Sequence, residues 1–310
     1  MSSKCNCQEV LNNDLQGGSG DVSWVVETEI ISYARSEHHL TQTQCETNRK
    51  YTEMMEQVLA TPYFVFSYNY DLSHSRQRYE ENIASSGETM AQSLVERAET
   101  RFVWNWKMME GLRANPSLHR YCLPVIHGFI SKPPPTLELQ SGVSHRDCFT
   151  RHFEVQKQKY RQQVIINLID QKGAEGRLET QLKAVCNQVS DADLFYEAFD
   201  FHKECSKMRY DKLQTLMDRL AQYQEQFSYF VLSREGLVLG RQSGVFRTNC
   251  IDCLDRTNVV QIILARNNLQ TALVRFGVLG ENARVEHQAA VFENLFKNVW
   301  ADHADMISIQ

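Results

Sequence analysis

The sequence predicts an α/β fold, and three observations carry that prediction. Residues 163–169, "QVIINLI", form a short continuous apolar run closed by "DQKG", the pattern of a strand buried on both faces. Residues 207–227, "KMRYDKLQTLMDRLAQYQEQF", place Leu213, Leu216, Met217, Leu220 and Tyr223 on one side of a helix. Residues 246–261, "FRTNCIDCLDRTNVVQ", read as the end of a strand, a tight loop and the start of a further helix.

The other elements follow in chain order. Residues 1–20 are polar and Gly-rich and are expected to be a disordered start. "VSWVVETEIISY" (22–33) has the β-branched and aromatic content of a strand, "NRKYTEMMEQVLA" (48–60) of a helix, and "PYFVFSYNYDLS" (62–73) of a strand with a turn-prone end. Its aromatic residues Tyr63, Phe64, Phe66, Tyr68 and Tyr70 are expected to build core or sheet faces. Residues 85–116 open with turn residues and then predict one long helix, with Leu94, Ala98, Phe102 and Trp106 along a stripe. Three consecutive prolines in "SKPPPTLELQSG" (131–142) cannot continue a helix or a central strand, so a loop is expected there. "LFYEAFDF" (194–201) is a strand candidate. Residues 229–246 predict a hairpin turning at Arg234–Gly236. A further helix, 258–277, would bury Val259, Ile262, Ile263, Leu269, Leu273 and Phe276.

Composition narrows the function. Thirty-three Lys and Arg against 38 Asp and Glu give a net charge of −5, which argues against a general nucleic-acid partner. Any anionic ligand must be met by locally placed Arg and Lys. Nine cysteines, an odd number spread from Cys5 to Cys253, do not suggest a secreted disulfide framework, and a reducing compartment is expected. The start lacks the apolar core of a signal peptide, and no run of eighteen apolar residues predicts a membrane span.

The chemistry concentrates at 250–257. Cys250 and Arg256 have C-x5-R spacing, with Cys250 at a strand end and Arg256 in the first turn of a helix. Backbone N–H groups of such a loop, backed by the positive helix end, form an anion cradle and lower a thiol pKa. Cys250 would attack phosphorus as a thiolate, and Arg256 would grip the phosphoryl oxygens in a bidentate fork. Ile251, Cys253, Leu254, Asp255 and Thr257 complete the loop, with Thr257 able to cap the helix or hydrogen-bond the sulfur. Asp252 is the first candidate for general acid, whereas Asp255 reads better as a helix N-cap. The competing C-x2-C readings are a zinc half-site and a redox pair. The zinc reading lacks a second ligand pair, since His127, His202 and Cys205 show no paired spacing with Cys250. Local spacing alone leaves the redox pair open. Asn249, Asp200 and His202 are possible supporting residues, the last two also fitting a simple capping or packing role. Arg241, Arg247 and Arg266 would add positive charge near the cradle or stand as surface charges. Trp300, Asp302 and Asp305 fit either a rim of the site or a solvated helix end.

The match extends beyond the loop. "RTNCIDCLDRTNVVQ" resembles the signature of the Sac-domain phosphoinositide phosphatases, and six further segments agree in order: "YDLSHSRQR" (70–78), "ERAETRFVWN" (96–105), "LPVIHGF" (123–129), "QVIINLIDQKG" (163–173), "FDFHKEC" (199–205) and "WADHADMISIQ" (300–310). The sequence is most similar to the integral-membrane member of the ER and Golgi. The resemblance implies removal of the 4-phosphate of phosphatidylinositol 4-phosphate, without a metal or other cofactor, at the cytoplasmic face of those membranes. It implies Cys250 as nucleophile, Arg256 as phosphate ligand and Asp252 as the loop aspartate. It further implies a partial N-terminal Sac subdomain at 21–117 and an incomplete α/β cysteine-phosphatase catalytic domain at 118–310. A junction at 131–148 would replace an Arg-rich family segment, and sequence beyond Gln310 would be absent. The alternative expectation is a catalytically inactive, shortened Sac form that binds or competes with a full-length Sac partner.

Overall fold

The computed structural model describes residues 2–9, 23–31, 40–61, 64–85, 92–127, 144–251, 253–288 and 290–309, and the chain divides between Ile130 and Ser131 into two units. The junction prolines and Tyr63 lie outside the described residues.

The first unit is built on a four-stranded antiparallel sheet of order β1-β2-β3-β4, formed by β1 (Ser2–Glu9), β2 (Ser23–Ile31), β3 (Phe64–Phe66) and β4 (Val125–His127). The expectation of a disordered start is corrected over 2–9. That segment pairs with β2 from Ser2↔Ile31 to Glu9↔Ser23, because strand pairing joins backbone groups whatever the side-chain polarity. Residues 10–22 lie outside the described residues. Helix α1 (Gln42–Leu59) begins six residues before the expected start, at a capping box in which Thr41 and Gln44 satisfy each other's backbone N–H. β3 is shorter than the strand expected at 62–73, since Ser67 Oγ accepts from Tyr70 N at 3.1 Å and turns the chain. Phe64 and Phe66 are buried, whereas Tyr68 is 66% exposed and leaves the core.

Helix α2 (Arg76–Ser85) follows. The long helix expected over 85–116 does not form. Instead α3 (Leu94–Arg97) is set by the Ser93–Glu96 capping box and stopped by extended backbone at Ala98. A 3-10 turn at Thr100–Phe102, α4 (Glu110–Arg113) and a second 3-10 segment at Pro116–Tyr121 complete the stretch. The breaks bring Val95, Ala98, Val103, Met109 and Cys122 into one buried cluster, with Trp106 packed on it, and leave Phe102 exposed. No straight helix can fold those positions together.

The second unit carries a three-stranded parallel sheet whose central strand, Gln162–Asn167, lies between Leu194–Ala198 and Gly244–Asn249. Helix α5 (His145–Tyr160) opens inside the expected junction, with Ser144 Oγ accepting from Asp147 N. It leads into β5 (Gln162–Asn167), whose Val164, Ile165 and Ile166 are at most 2% exposed, as a strand covered on both faces must be. Helix α6 (Gly173–Val189) crosses to β6 (Leu194–Ala198), and α7 (Phe201–Glu204) is one turn capped by Asp200, so the strand expected to reach 201 ends earlier. Helix α8 (Leu213–Phe227) buries Leu213, Leu216, Met217 and Leu220, the stripe read from the sequence. β7 (Val231–Leu232) and β8 (Val238–Gly240) form the expected hairpin.

β9 (Gly244–Asn249) pairs parallel with β5 and feeds α9 (Asp255–Arg275), after which come α10 (Val285–Gln288) and α11 (Ala290–Ile309). The expected stripe of α9 is corrected by rotation. Its buried positions are Arg256, Thr257, Val260 and Leu264; Val259 and Ile263 lie at the core's margin, and Phe276 is 58% exposed. Arg256 and Thr257 are drawn into the loop, and their direction fixes which face of the helix meets the sheet.

Gly244 sits where β9 crosses under α8. A Cβ there would lie 2.5 Å from the Phe227 ring and 2.8 Å from the carbonyl of Gln162. Gly244→Ala is therefore expected to destabilise the second unit by roughly 1–3 kcal/mol, read from the urea unfolding midpoint.

Candidate active site

Parallel sheets present their ligand sites outside the carboxyl ends of the strands. Here three such ends are bonded together. Leu168 N donates to Asn249 O at 2.8 Å and Phe199 N to Asn167 O at 2.9 Å. Below them runs a polar chain: Asn249 Nδ2 donates to Asn167 Oδ1, Asn167 Nδ2 to Tyr196 Oη at 3.0 Å, and Tyr196 Oη to Glu179 Oε1 at 3.4 Å. Asn249, a supporting candidate, thus ties the strand before the loop to its neighbour.

Cys250 leaves β9 and is 8% exposed. Two donors converge on its sulfur: Cys253 N at 3.1 Å and Thr257 Oγ1 at 3.3 Å. Cys253 has a φ of 58°, a left-handed conformation that turns its N–H back toward Cys250 and costs a β-carbon residue energy. The pKa of Cys253 is lowered to about 6, first by hydrogen bonding with Cys250, which burial opposes, and then by Thr257 and the charge of Arg247. Both donors aim at Cys250 Sγ, an arrangement that would stabilise a thiolate at that sulfur.

Arg256 enters from the first turn of α9 and is 9% exposed. Its Nη1 donates to Glu175 Oε2 at 3.0 Å and to Leu168 O at 3.3 Å, and its Nη2 to Glu175 Oε1 at 3.4 Å. Burial would raise the Glu175 pKa, but the Arg256 bonds and the N–H of Asp170 pull it below the ordinary value. Gly176 lets this turn close, since a Cβ there would meet Gln171 O at 2.8 Å.

The remaining candidates divide. Ile251 and Leu254 are half-buried in the loop. Asp252 lies outside the described residues. Asp255 is not the N-cap: Leu254 holds that position without a side-chain cap, and Asp255 is the first helical residue, exposed. Asp200 caps α7, accepting from Lys203 N at 3.1 Å, and also accepts from Gln171 N at 3.2 Å, so it shapes the β5 loop. His202 is largely exposed, with Nδ1 2.9 Å from Asp170 Oδ1, and Asp170 lies 3.8 Å from Arg256 Nη1. Arg247 sits 5.8 Å from the Phe153 ring, and Arg266 pairs with Glu286 and Glu293 on α10 and α11. Arg241, Asp302 and Asp305 are exposed, the last two on α11 with Trp300. Cys205 belongs to the apolar core. Sequence reasoning missed Asp170 and Glu175. The available signal was their place just past the carboxyl end of the most apolar strand.

A family model described as the SacI homology domain matches residues 6–141 and 131–206. The chain belongs to the SacI homology domain family. Among curated proteins it is similar to the phosphatidylinositol-3-phosphatase SAC1-A of Danio rerio, 36% identical over 94% of this chain and 62% of that protein. It is 34% identical to the phosphatidylinositol-3-phosphatase SAC1 of Drosophila melanogaster over 86% of this chain and 57% of that protein. The Saccharomyces cerevisiae SAC1 is 27% identical over 84% of this chain and 55% of that protein. The SacI-domain chain therefore spans roughly three fifths of the length of these relatives.

A lowered pKa means the thiolate persists above it and is lost as pH falls through it. Alkylation of Cys253 by iodoacetamide, mapped by mass spectrometry, is expected to hold near its alkaline rate at pH 7 and to fall below a pH of about 6. Thr257→Val removes one sulfur donor and should move that inflection upward.

Proposed function

We propose that this chain is a phosphoinositide phosphatase, a phosphoric monoester hydrolase of the C-x5-R type that works through a phosphocysteine. The observation that carries the reading is the convergence of Cys253 N and Thr257 Oγ1 on Cys250 Sγ, with the buried Arg256 in the helix turn behind it.

The Cys250 thiolate attacks the phosphorus of the phosphorylated inositol, forming a P–S bond as the P–O bond to the inositol oxygen breaks. The departing oxygen takes a proton from a general acid, for which Asp252 is the proposed residue. Water then attacks phosphorus, the P–S bond breaks, and inorganic phosphate leaves. The sulfur departs as a thiolate, which the N–H of Cys253 and the hydroxyl of Thr257 stabilise. Arg256 holds the non-bridging oxygens through both steps, with the charge of the α9 N-terminus behind it.

The reading takes 21–117 as a remnant of the N-terminal Sac subdomain and 118–310 as the catalytic domain. The substrate is a lipid at a membrane surface, at the cytoplasmic face of ER and Golgi membranes. Among the described residues no helix is long and apolar enough to cross a membrane. The 4-phosphate of phosphatidylinositol 4-phosphate is the proposed target by resemblance to the ER/Golgi member, while the similar curated proteins are named for the 3-phosphate.

Purified protein is expected to release phosphate from short-chain phosphatidylinositol 4-phosphate, faster than from the 3-phosphate isomer. Cys250→Ser should reduce release to background, and Arg256→Lys should lower kcat by about 100- to 1000-fold. Release that survives in Cys250→Ser would overturn the phosphocysteine route. A folded wild type that releases none from either isomer would overturn the enzyme.

A further inference from the structure

A phosphoryl group needs the guanidinium to meet it with a defined edge, and among the described residues Arg256 is gripped from one side. Arginine has five N–H groups: one on Nε and two on each Nη. In Arg256 both Nη1 hydrogens are engaged, one by Glu175 Oε2 at 3.0 Å and one by Leu168 O at 3.3 Å, and Nη2 gives one to Glu175 Oε1 at 3.4 Å. Those bonds take the end of the fork. The other edge, Nε–H beside the second Nη2–H, presents two parallel donors, the spacing that fits two oxygens of one phosphoryl group.

We propose that Glu175 is a positioning residue, holding Arg256 by its end so that the Nε–Nη2 edge is turned to a phosphoryl group at Cys250. The inference rests on the phosphatase reading. Glu175 is itself fixed: Oε2 accepts from Asp170 N at 2.8 Å, and its side chain is 16% exposed. Asp170 cannot replace it, because at 3.8 Å from Nη1 it makes no hydrogen bond and its carboxylate is engaged by His202 at 2.9 Å. Asp170 adds charge; Glu175 adds direction. The carboxylate of Glu175 lies at the end of the guanidinium away from the free edge, so repulsion of the incoming phosphate is weakened while the orientation is kept.

Two readouts test this on the full chain: kcat and KM for short-chain phosphatidylinositol 4-phosphate, and protection of Cys250 from iodoacetamide by orthovanadate. Glu175→Gln is expected to lower kcat/KM by about tenfold or more, mostly in kcat, and to weaken vanadate protection by a similar factor. Glu175→Asp, which keeps the charge but shortens the reach, should lie between it and wild type, and serves if the Gln variant fails to fold. Because Glu175 acts through Arg256, adding Glu175→Gln to Arg256→Lys should change neither readout by more than about threefold. Vanadate protection and kcat/KM within about twofold of wild type in both single variants would overturn the proposal, as would losses that add fully to those of Arg256→Lys. If vanadate protects Cys250 but no lipid is hydrolysed, the phosphatase reading fails, and the role of Glu175 is still decided by the protection assay.

Discussion

Arg256 carries a full positive charge to a place where 9% of the residue is exposed, and a buried cation persists only with a counter-charge and hydrogen bonds around it. Glu175 and the carbonyl of Leu168 supply them. Both partners come from one distant stretch of the second unit, 81 and 88 residues back along the chain, so the requirement fastens helix α9 to the loop after β5 and to the first turn of α6. It also fixes the rotation of α9. With Arg256 and Thr257 turned inward, Val260 and Leu264 one and two turns on must face the sheet.

The same constraint explains why the loop can be both strained and precise in direction. Asn249 and Asn167 stand opposite each other in the β9–β5 register, and their side-chain bond continues through Tyr196 to Glu179. Burial pushes the Tyr196 phenol pKa up, so it stays a neutral donor to that carboxylate. Helix α6 thus turns two carboxylates a helical turn apart, Glu175 and Glu179, toward the sheet and the loop after β5. A surrounding fixed at that many points can hold Cys253 at positive φ, which a free loop would relax.

A net charge of −5 leaves the protein with no broad basic field, and attraction of an anion rests on local geometry. The α9 N-terminus, Arg256 and Arg247 concentrate positive potential around two cysteines. Elsewhere the arginines are spent differently: Arg266 pairs with Glu286 and Glu293, and Arg113 lies 3.6 Å from the ring centre of Trp106.

The sequence by itself determined the strand β5, the buried stripe of α8, the hairpin and the C-x5-R loop at a strand–helix junction. Each is encoded within a window of some twenty residues, where periodicity and spacing act directly. It also named Cys250, Arg256 and Thr257, since their relation is one of neighbours in a single turn. Only the tertiary structure decided that Glu175 faces Arg256, that Asp200 caps a helix and shapes a loop, and that Asp255 stands inside α9 rather than capping it. It likewise decided that 94–121 breaks into short turns, because an i, i+4 stripe records which residues are apolar but not where Val95, Val103 and Cys122 must meet. Contacts between residues far apart in the chain leave no local period, and the partner of a buried charge is fixed only when the fold brings the two together.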